Sequence, residues 1–175
     1  DKGLHSKAPF LIVGDLEYTL NYLCDLFYSD KPKFVMGVTG TNGKTSVVNF
    51  SQQLIEQKNK SCVTIGTLGV GGVVSLKTEN TTPDQSYIAK ILQMAKLKGA
   101  DYALLEVSSH SLVQRRINGI QFKVFCFTNL SQDHLDYHKN MEKYFQAKLS
   151  ILDVLTLDTK IAVSYTHLRA HETRS

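Results

Sequence analysis

Apolar residues along the chain form short runs separated by polar, glycine-bearing turns, and the period of each run predicts an element. Leu16, Leu20, Leu23 and Phe27 recur at helical spacing and predict a helix over 19–28, with Pro32 breaking the linker that follows. Residues 34–38 form a short apolar strand, 39–43 a Gly-rich turn and 44–58 a helix with a polar face. A second strand is expected over 62–65, and 68–76, with Gly71-Gly72 between β-branched residues, reads as a hairpin. Thr82-Pro83-Asp84 predicts a helix start with proline in the first helical position, the helix ending before Gly99. Residues 102–107 and 124–128 are further strands, 140–155 is a helix, and a last strand begins at Ile161. Strands alternating with helices predict an α/β fold, a mostly parallel sheet with helices on both faces.

The composition fits this fold. At 175 residues, 42% hydrophobic and 21% charged, the chain is long enough for one domain with a proper core. No apolar run reaches the roughly 18 residues of a membrane span, and the polar stretch 1–7 is followed by no signal-type apolar segment. Neither a membrane nor a nucleic-acid partner is expected, and a cytoplasmic monomer is the simplest reading. A net charge of +4 suits an anionic ligand without requiring one. Cys24, Cys62 and Cys126 are odd in number and widely spaced, which gives neither a disulfide framework nor a zinc pattern. The chain lacks an initiator Met, so it is expected to begin inside a longer protein. Residues 163–173, VSYTHLRAHET, resemble the translation of a sequencing adapter, and 164–175 are therefore expected to be a non-native tail.

The strongest chemical signal is Gly40-Thr41-Asn42-Gly43-Lys44-Thr45, set between a strand and a helix. Glycines let backbone N–H groups turn inward around a phosphate, and the helix start adds favourable partial charge. Lys44 is placed to reach β- and γ-phosphates, and the Thr45 hydroxyl to bind Mg²⁺. The general phosphate-loop pattern asks for glycine at position 38, where this chain has Val38.

That departure matches a known variant. Val38-Thr39-Gly40-Thr41-Asn42-Gly43-Lys44-Thr45 resembles the loop of the Mur ligases, and four further segments agree in order and spacing. They are Asn80-Thr81-Thr82-Pro83, Glu106-Val107-Ser108-Ser109-His110, Gln114-Arg115-Arg116, and the run from Thr128 to His138, TNLSQDHLDYH, with Lys148 following on a helix. The resemblance spans 34–163 and is nearest the tripeptide synthetase branch. It implies a central ATP-binding domain at 34–163, with 1–33 closing an N-terminal uridine-binding domain.

The resemblance also implies a chemistry. ATP phosphorylates a substrate carboxylate, and an amine then attacks the acyl phosphate. The substrate pair is UDP-N-acetylmuramoyl-L-Ala-D-Glu and the third amino acid of the peptide. ATP would lie on 40–45 and Ser46. Mg²⁺ would be held by Thr45 and Glu106, with His134 helping to bind a second metal and Lys148, as a carbamate, also a metal ligand; Lys44, Lys148 and His134 would be the catalytic set. Asn80, Thr81, Thr82, Ser108, Gln114 and Arg116 would meet the UDP-muramoyl substrate. Thr82 equally suits a helix cap, and Asp133 and Asp136 suit turning their loop. Lys139 and Ser111 stand where these ligases often have glycine. Two rivals stay open: another ligase of the superfamily, such as folylpolyglutamate synthetase, and a nucleotide-binding module without ligase activity.

Overall fold

The computed structural model describes residues 12–164. Six strands form one sheet: β1 (Phe34–Thr39), β2 (Cys62–Gly66), β3 (Gly69–Gly72), β4 (Tyr102–Glu106), β5 (Val124–Phe127) and β6 (Lys160–Val163). Their order is β3-β2-β4-β1-β5-β6, with every pairing parallel except β2 with β3. The helices are α1 (Leu16–Phe27), α2 (Lys44–Gln57), α3 (Gln85–Leu97), α4 (Ser109–Val113), α5 (Leu135–His138) and α6 (Met141–Leu149), the last continuing into a 3₁₀ turn over Ser150–Asp153.

The central strands β1, β2 and β4 are apolar almost throughout because both faces of the sheet are covered there, whereas the edge strand β6 is exposed along its length. Period-2 alternation divides β1 between two cores. Val35 joins the larger one, with Ile88, Ile91 and Leu92 of α3, Ala103 and Leu105 of β4, and Phe122 and Phe125. Met36 and Val38 join a smaller one with Leu104 and Val48 of α2. Gly37 faces the larger core, where a Cβ would lie 2.5 Å from a Phe125 ring carbon. The order of strands reverses around β1: the chain first goes out to β2, returns to β4, and then crosses to β5 on the other side. The carboxyl ends of β1, β4 and β5 therefore open a crevice, the usual ligand position in such sheets.

The expected fold class holds, with local corrections. Asp15 caps α1, its carboxylate accepting from the Tyr18 N–H at 2.9 Å, so the helix starts three residues before the predicted 19. Pro83 is not the first helical residue: Asp84 is the N-cap and Gln85 begins α3. Thr82, the candidate cap, instead donates to the Glu106 carbonyl at 2.8 Å. The 68–76 hairpin pairs chiefly with β2, keeping only a Val70–Leu76 bridge of its own. The 140–155 helix tightens after Leu149 because Ser150 turns its hydroxyl back to the Ala147 carbonyl, 2.9 Å away. Two short helices, α4 and α5, had too few residues to show a period. Ser164, assigned to the tail, still donates its N–H to the Phe127 carbonyl beside β6; the rest of that tail and residues 1–11 lie outside the described residues. Among the described residues no helix is long and apolar enough to cross a membrane.

Gly37→Ala tests the packing. The added methyl has no room between Phe125 and Phe122, so the variant is expected to lose about 1–3 kcal/mol of stability, read as a lowered urea midpoint at unchanged slope. An unchanged midpoint would mean that the two rings move aside freely.

Candidate active site

The turn after β1 is shaped by two glycines in conformations that side chains resist. Gly40 has φ 145°, and a Cβ there would fall 1.9 Å from the Thr128 hydroxyl. Gly43, the N-cap of α2, has φ 85°. Val38 lies within β1, fully buried and paired with Glu106 and Cys126. A glycine is not needed there because the loop proper spans only 40–43. Thr128 and Asn129 brace it from β5. The Thr128 hydroxyl donates to the Asn42 carbonyl at 2.7 Å, the Asn129 amide donates to that same carbonyl at 3.0 Å, and the Asn42 N–H donates to the Asn129 side-chain oxygen at 2.9 Å. Thr41 is tied to Ser131 through its hydroxyl and meets the Tyr144 hydroxyl at 3.1 Å.

Lys44 folds back over the loop, donating to the Gly40 and Thr41 carbonyls at 2.9 and 2.8 Å. Burial lowers its pKa, opposed by the negative charges of Glu106 and Asp133. Thr45, one residue on, donates its hydroxyl to Glu106 Oε2 at 2.9 Å. Glu106 ends β4 and is 2% exposed. Its carboxylate also accepts from the Thr67 N–H (3.0 Å) and hydroxyl (3.1 Å). Ser46 lies exposed on the first turn of α2.

Lys148 comes from α6 and is 1% exposed. Its Nζ donates to the Gly40 carbonyl at 3.1 Å and stands 4.7 Å from the centre of the Tyr144 ring. Burial, with Lys44 adding repulsion, pushes its pKa down to about 7, against a weaker opposing pull from Asp133. His134 sits at the start of α5 in a left-handed conformation (φ 51°), its N–H bonded to the Asp133 carboxylate at 2.8 Å. Its side chain is 46% exposed, with the ring 5.0 Å from that of His110 and 6.3 Å from that of Tyr144. Asp133 thus caps the N–H of the residue that follows it in the loop. Lys139 adopts φ 70°, so its position does favour glycine, whereas Ser111 is simply buried, its hydroxyl on the Ser108 carbonyl.

The residues expected to meet a second substrate divide into two groups. Thr81, Thr82, Ser108 and Arg116 converge beside Glu106. Thr82 accepts from the Ser108 N–H at 3.1 Å, Arg116 donates to the Thr82 carbonyl at 2.7 Å with Asp84 3.4 Å from its Nε, and the Thr81 and Thr67 hydroxyls lie 3.2 Å apart. Ser108 also caps α4 through the Ser111 N–H. Asn80 and Gln114 are exposed; Gln114 reaches the Tyr137 hydroxyl at 3.5 Å, and Asn80 lines a separate cavity of about 270 Å³ with Thr78 and Tyr87. A cavity of about 640 Å³, lined by residues of α1, α4 and α6 and of 115–119, includes none of these side chains. Sequence reasoning missed Thr67 and Tyr144. Their signals were modest: a hydroxyl just past the carboxyl end of a strand, and a tyrosine one helical turn before Lys148.

Among the described residues no three His, Cys, Asp or Glu side chains gather as a metal cluster. The donors at the loop are one carboxylate and neighbouring hydroxyls. That hard-oxygen set suits Mg²⁺, which keeps several waters and shares phosphate oxygens rather than sitting in an all-protein cage.

A strand, a glycine loop with lysine and threonine, and an acidic residue at the end of the neighbouring strand define a phosphate-loop α/β domain. Comparison with known proteins places it further. The Mur ligase middle domain profile matches residues 38–172, past the Val163 boundary expected from the sequence. The chain belongs to the Mur ligase family. It is 40% identical over 148 residues to the UDP-N-acetylmuramoyl-L-alanyl-D-glutamate--2,6-diaminopimelate ligase of Coxiella burnetii, covering 83% of this chain and 30% of that one. The ligase of the same name from Buchnera aphidicola subsp. Schizaphis graminum is 44% identical over 148 residues, with the same coverage of 83% and 30%. A solved structure of a ligase of that name superposes with a TM-score of 0.69 at 29% identity, covering 84% of this chain and 36% of the other. The chain thus spans about a third of the length of the relatives it matches.

The depressed Lys148 pKa gives a stability test. The unfolded lysine holds its proton until roughly pH 10, the folded one only to about 7. Between these values the unfolded state binds more protons, so stability rises with pH, and below about 7 the cost of burying the charge is fully present. In CO₂-free buffer the difference in thermal stability between the wild type and Lys148→Met is expected to shift in favour of the wild type from pH 7 to 9.5. Parallel profiles would show that Lys148 keeps its ordinary affinity for the proton.

Proposed function

We propose that the protein containing this chain is an ATP-dependent ligase that joins a third amino acid to UDP-N-acetylmuramoyl-L-Ala-D-Glu through an acyl phosphate, in peptidoglycan precursor synthesis. The carrying observation is the convergence, at the carboxyl ends of β1 and β4, of Lys44, the Thr45–Glu106 pair and the buried Lys148, all within reach of the Gly40 carbonyl or its loop.

In this reading Lys44 exchanges its two carbonyl partners for phosphate oxygens, and the N–H groups of 43–46 line the phosphate chain, those of Thr41 and Asn42 being held by Asn129. Thr45 and Glu106 hold Mg²⁺, which when bound offsets negative charge on the phosphoryl group. His134 would help to hold a second metal, and Lys148, as a carbamate, would also be a metal ligand. A neutral amine is needed to take up CO₂, and the low pKa of Lys148 supplies one. Thr81, Thr82, Ser108 and Arg116, with the outlying Asn80 and Gln114, meet the UDP-muramoyl substrate. The names of the relatives support that substrate and 2,6-diaminopimelate as the added residue. Residues 34–163 would be the central domain and 1–33 the end of a uridine-binding domain, in a cytoplasmic monomer.

Full-length protein tests this directly. With ATP, Mg²⁺ and UDP-N-acetylmuramoyl-L-Ala-D-Glu, the wild type is expected to release phosphate on addition of one amino acid from a panel including diaminopimelate and lysine. Lys44→Ala should lower turnover by roughly 10²–10³-fold or more, and near-normal turnover would remove the loop from the reaction. Lys148→Ala should be nearly inactive and regain activity with a short-chain carboxylate. Full activity in that variant would refute the role of Lys148, and inactivity without rescue would keep the lysine essential while leaving the carbamate unproven.

A further inference from the structure

The corner after β2 has no role in the chemistry proposed above, yet its geometry is specific to the carboxylate beside it. Gly66 and Thr67 sit where β2 ends, next to β4 in the sheet. A Cβ at Gly66 would lie 2.1 Å from Glu106 Oε1 and 2.6 Å from the carboxyl carbon. Only a residue without a side chain lets the carboxylate lie flat over the strand end. Thr67 then engages both carboxylate oxygens, its N–H on Oε1 at 3.0 Å and its hydroxyl on Oε2 at 3.1 Å. The same hydroxyl is 3.2 Å from that of Thr81.

We infer that the Gly66–Thr67 corner is a carboxylate clamp and that Thr67 is a positioning residue for the metal, acting through Glu106. This rests on the reading of Glu106 as a Mg²⁺ ligand. A carboxylate on a flexible stem meets a small octahedral ion well only if its rotation is fixed, because Mg²⁺ tolerates little departure from ideal geometry. Thr45, the other hydroxyl on Oε2, is itself a proposed Mg²⁺ ligand and changes partner when the ion is present. Thr67 stays on the carboxylate in both states. Because its hydroxyl also touches Thr81, the clamp joins the metal side of the site to the segment proposed to meet the second substrate.

The test uses full-length protein and ADP, with affinity measured calorimetrically in MgCl₂ and again in EDTA. The gain in affinity from Mg²⁺ is the readout, since a merely structural defect would lower both values together. Thr67→Val keeps the backbone N–H and shape but loses the hydroxyl. Its Mg²⁺-dependent gain is expected to fall by roughly 10-fold or more, the usual range for groups that orient a metal ligand, with EDTA affinity unchanged. Thr67→Ser should restore most of the gain. A Thr67→Val gain equal to the wild type, or a loss that Thr67→Ser fails to recover, overturns the clamp. A wild type that gains nothing from Mg²⁺ overturns the reading of Glu106 as well, and the clamp with it.

Discussion

A carboxylate buried at the end of a central strand is the constraint around which this domain is arranged. Left alone in a site 2% exposed, the Glu106 charge would cost several kcal/mol. It is offset by donors from two other elements: the Thr45 hydroxyl at the start of α2, and the N–H and hydroxyl of Thr67 past β2. The backbone of the same residue accepts from Thr82. One residue, through its carboxylate and its carbonyl, therefore fixes the mutual positions of the phosphate loop, the β2 corner and the 80–82 segment. The parallel pairing of β1 and β4, which sets Val38 opposite Glu106, is what brings the loop and the carboxylate together.

A second focus is the Gly40 carbonyl, which accepts from both Lys44 and Lys148. Two amines on one carbonyl repel each other if both are protonated, and burial tilts the outcome toward a neutral Lys148. Tyr144 supports the arrangement from α6, its hydroxyl on Thr41 and its ring beneath Lys148. The loop is thus held by Thr128 and Asn129 just past β5, the latter also taking up the Thr41 and Asn42 N–H groups, and from α6 by Tyr144 and Lys148.

Much of this was legible in the sequence. Apolar runs of five or six residues bounded by glycine and proline gave the strands, since parallel strands covered on both faces carry little else. The phosphate loop was visible because glycines, lysine and threonine must stand in fixed order for such a turn. Lys148 was different: on its helix alone it reads as a surface cation, and only the resemblance made it a site residue. Its near-complete burial depends on Tyr144 and the loop, contacts separated by about a hundred residues for the loop. Thr67 was invisible because its meaning depends on which strand β2 lies beside. Pro83 misled because a proline before a helix can occupy the turn preceding the cap as readily as the first helical position. Arg116 reads as a free anion-binding fork, yet it is 18% exposed and already holds the Thr82 carbonyl.

The two cores are unequal, and this bears on how the domain breathes. The larger one is shared by α3, most strands and the 112–125 region, whereas α2 is seated mainly by Val48 against Met36, Val38 and Leu104, with Phe50 and Leu54 facing outward. Local opening favours elements with few buried apolar contacts, and α2 fully buries only Val48, against six residues of α3. It also carries Lys44 and Thr45. A ligand gripped by those two residues adds its binding free energy to the anchorage of the more lightly seated helix, so occupancy of the loop and the integrity of that layer are thermodynamically one variable.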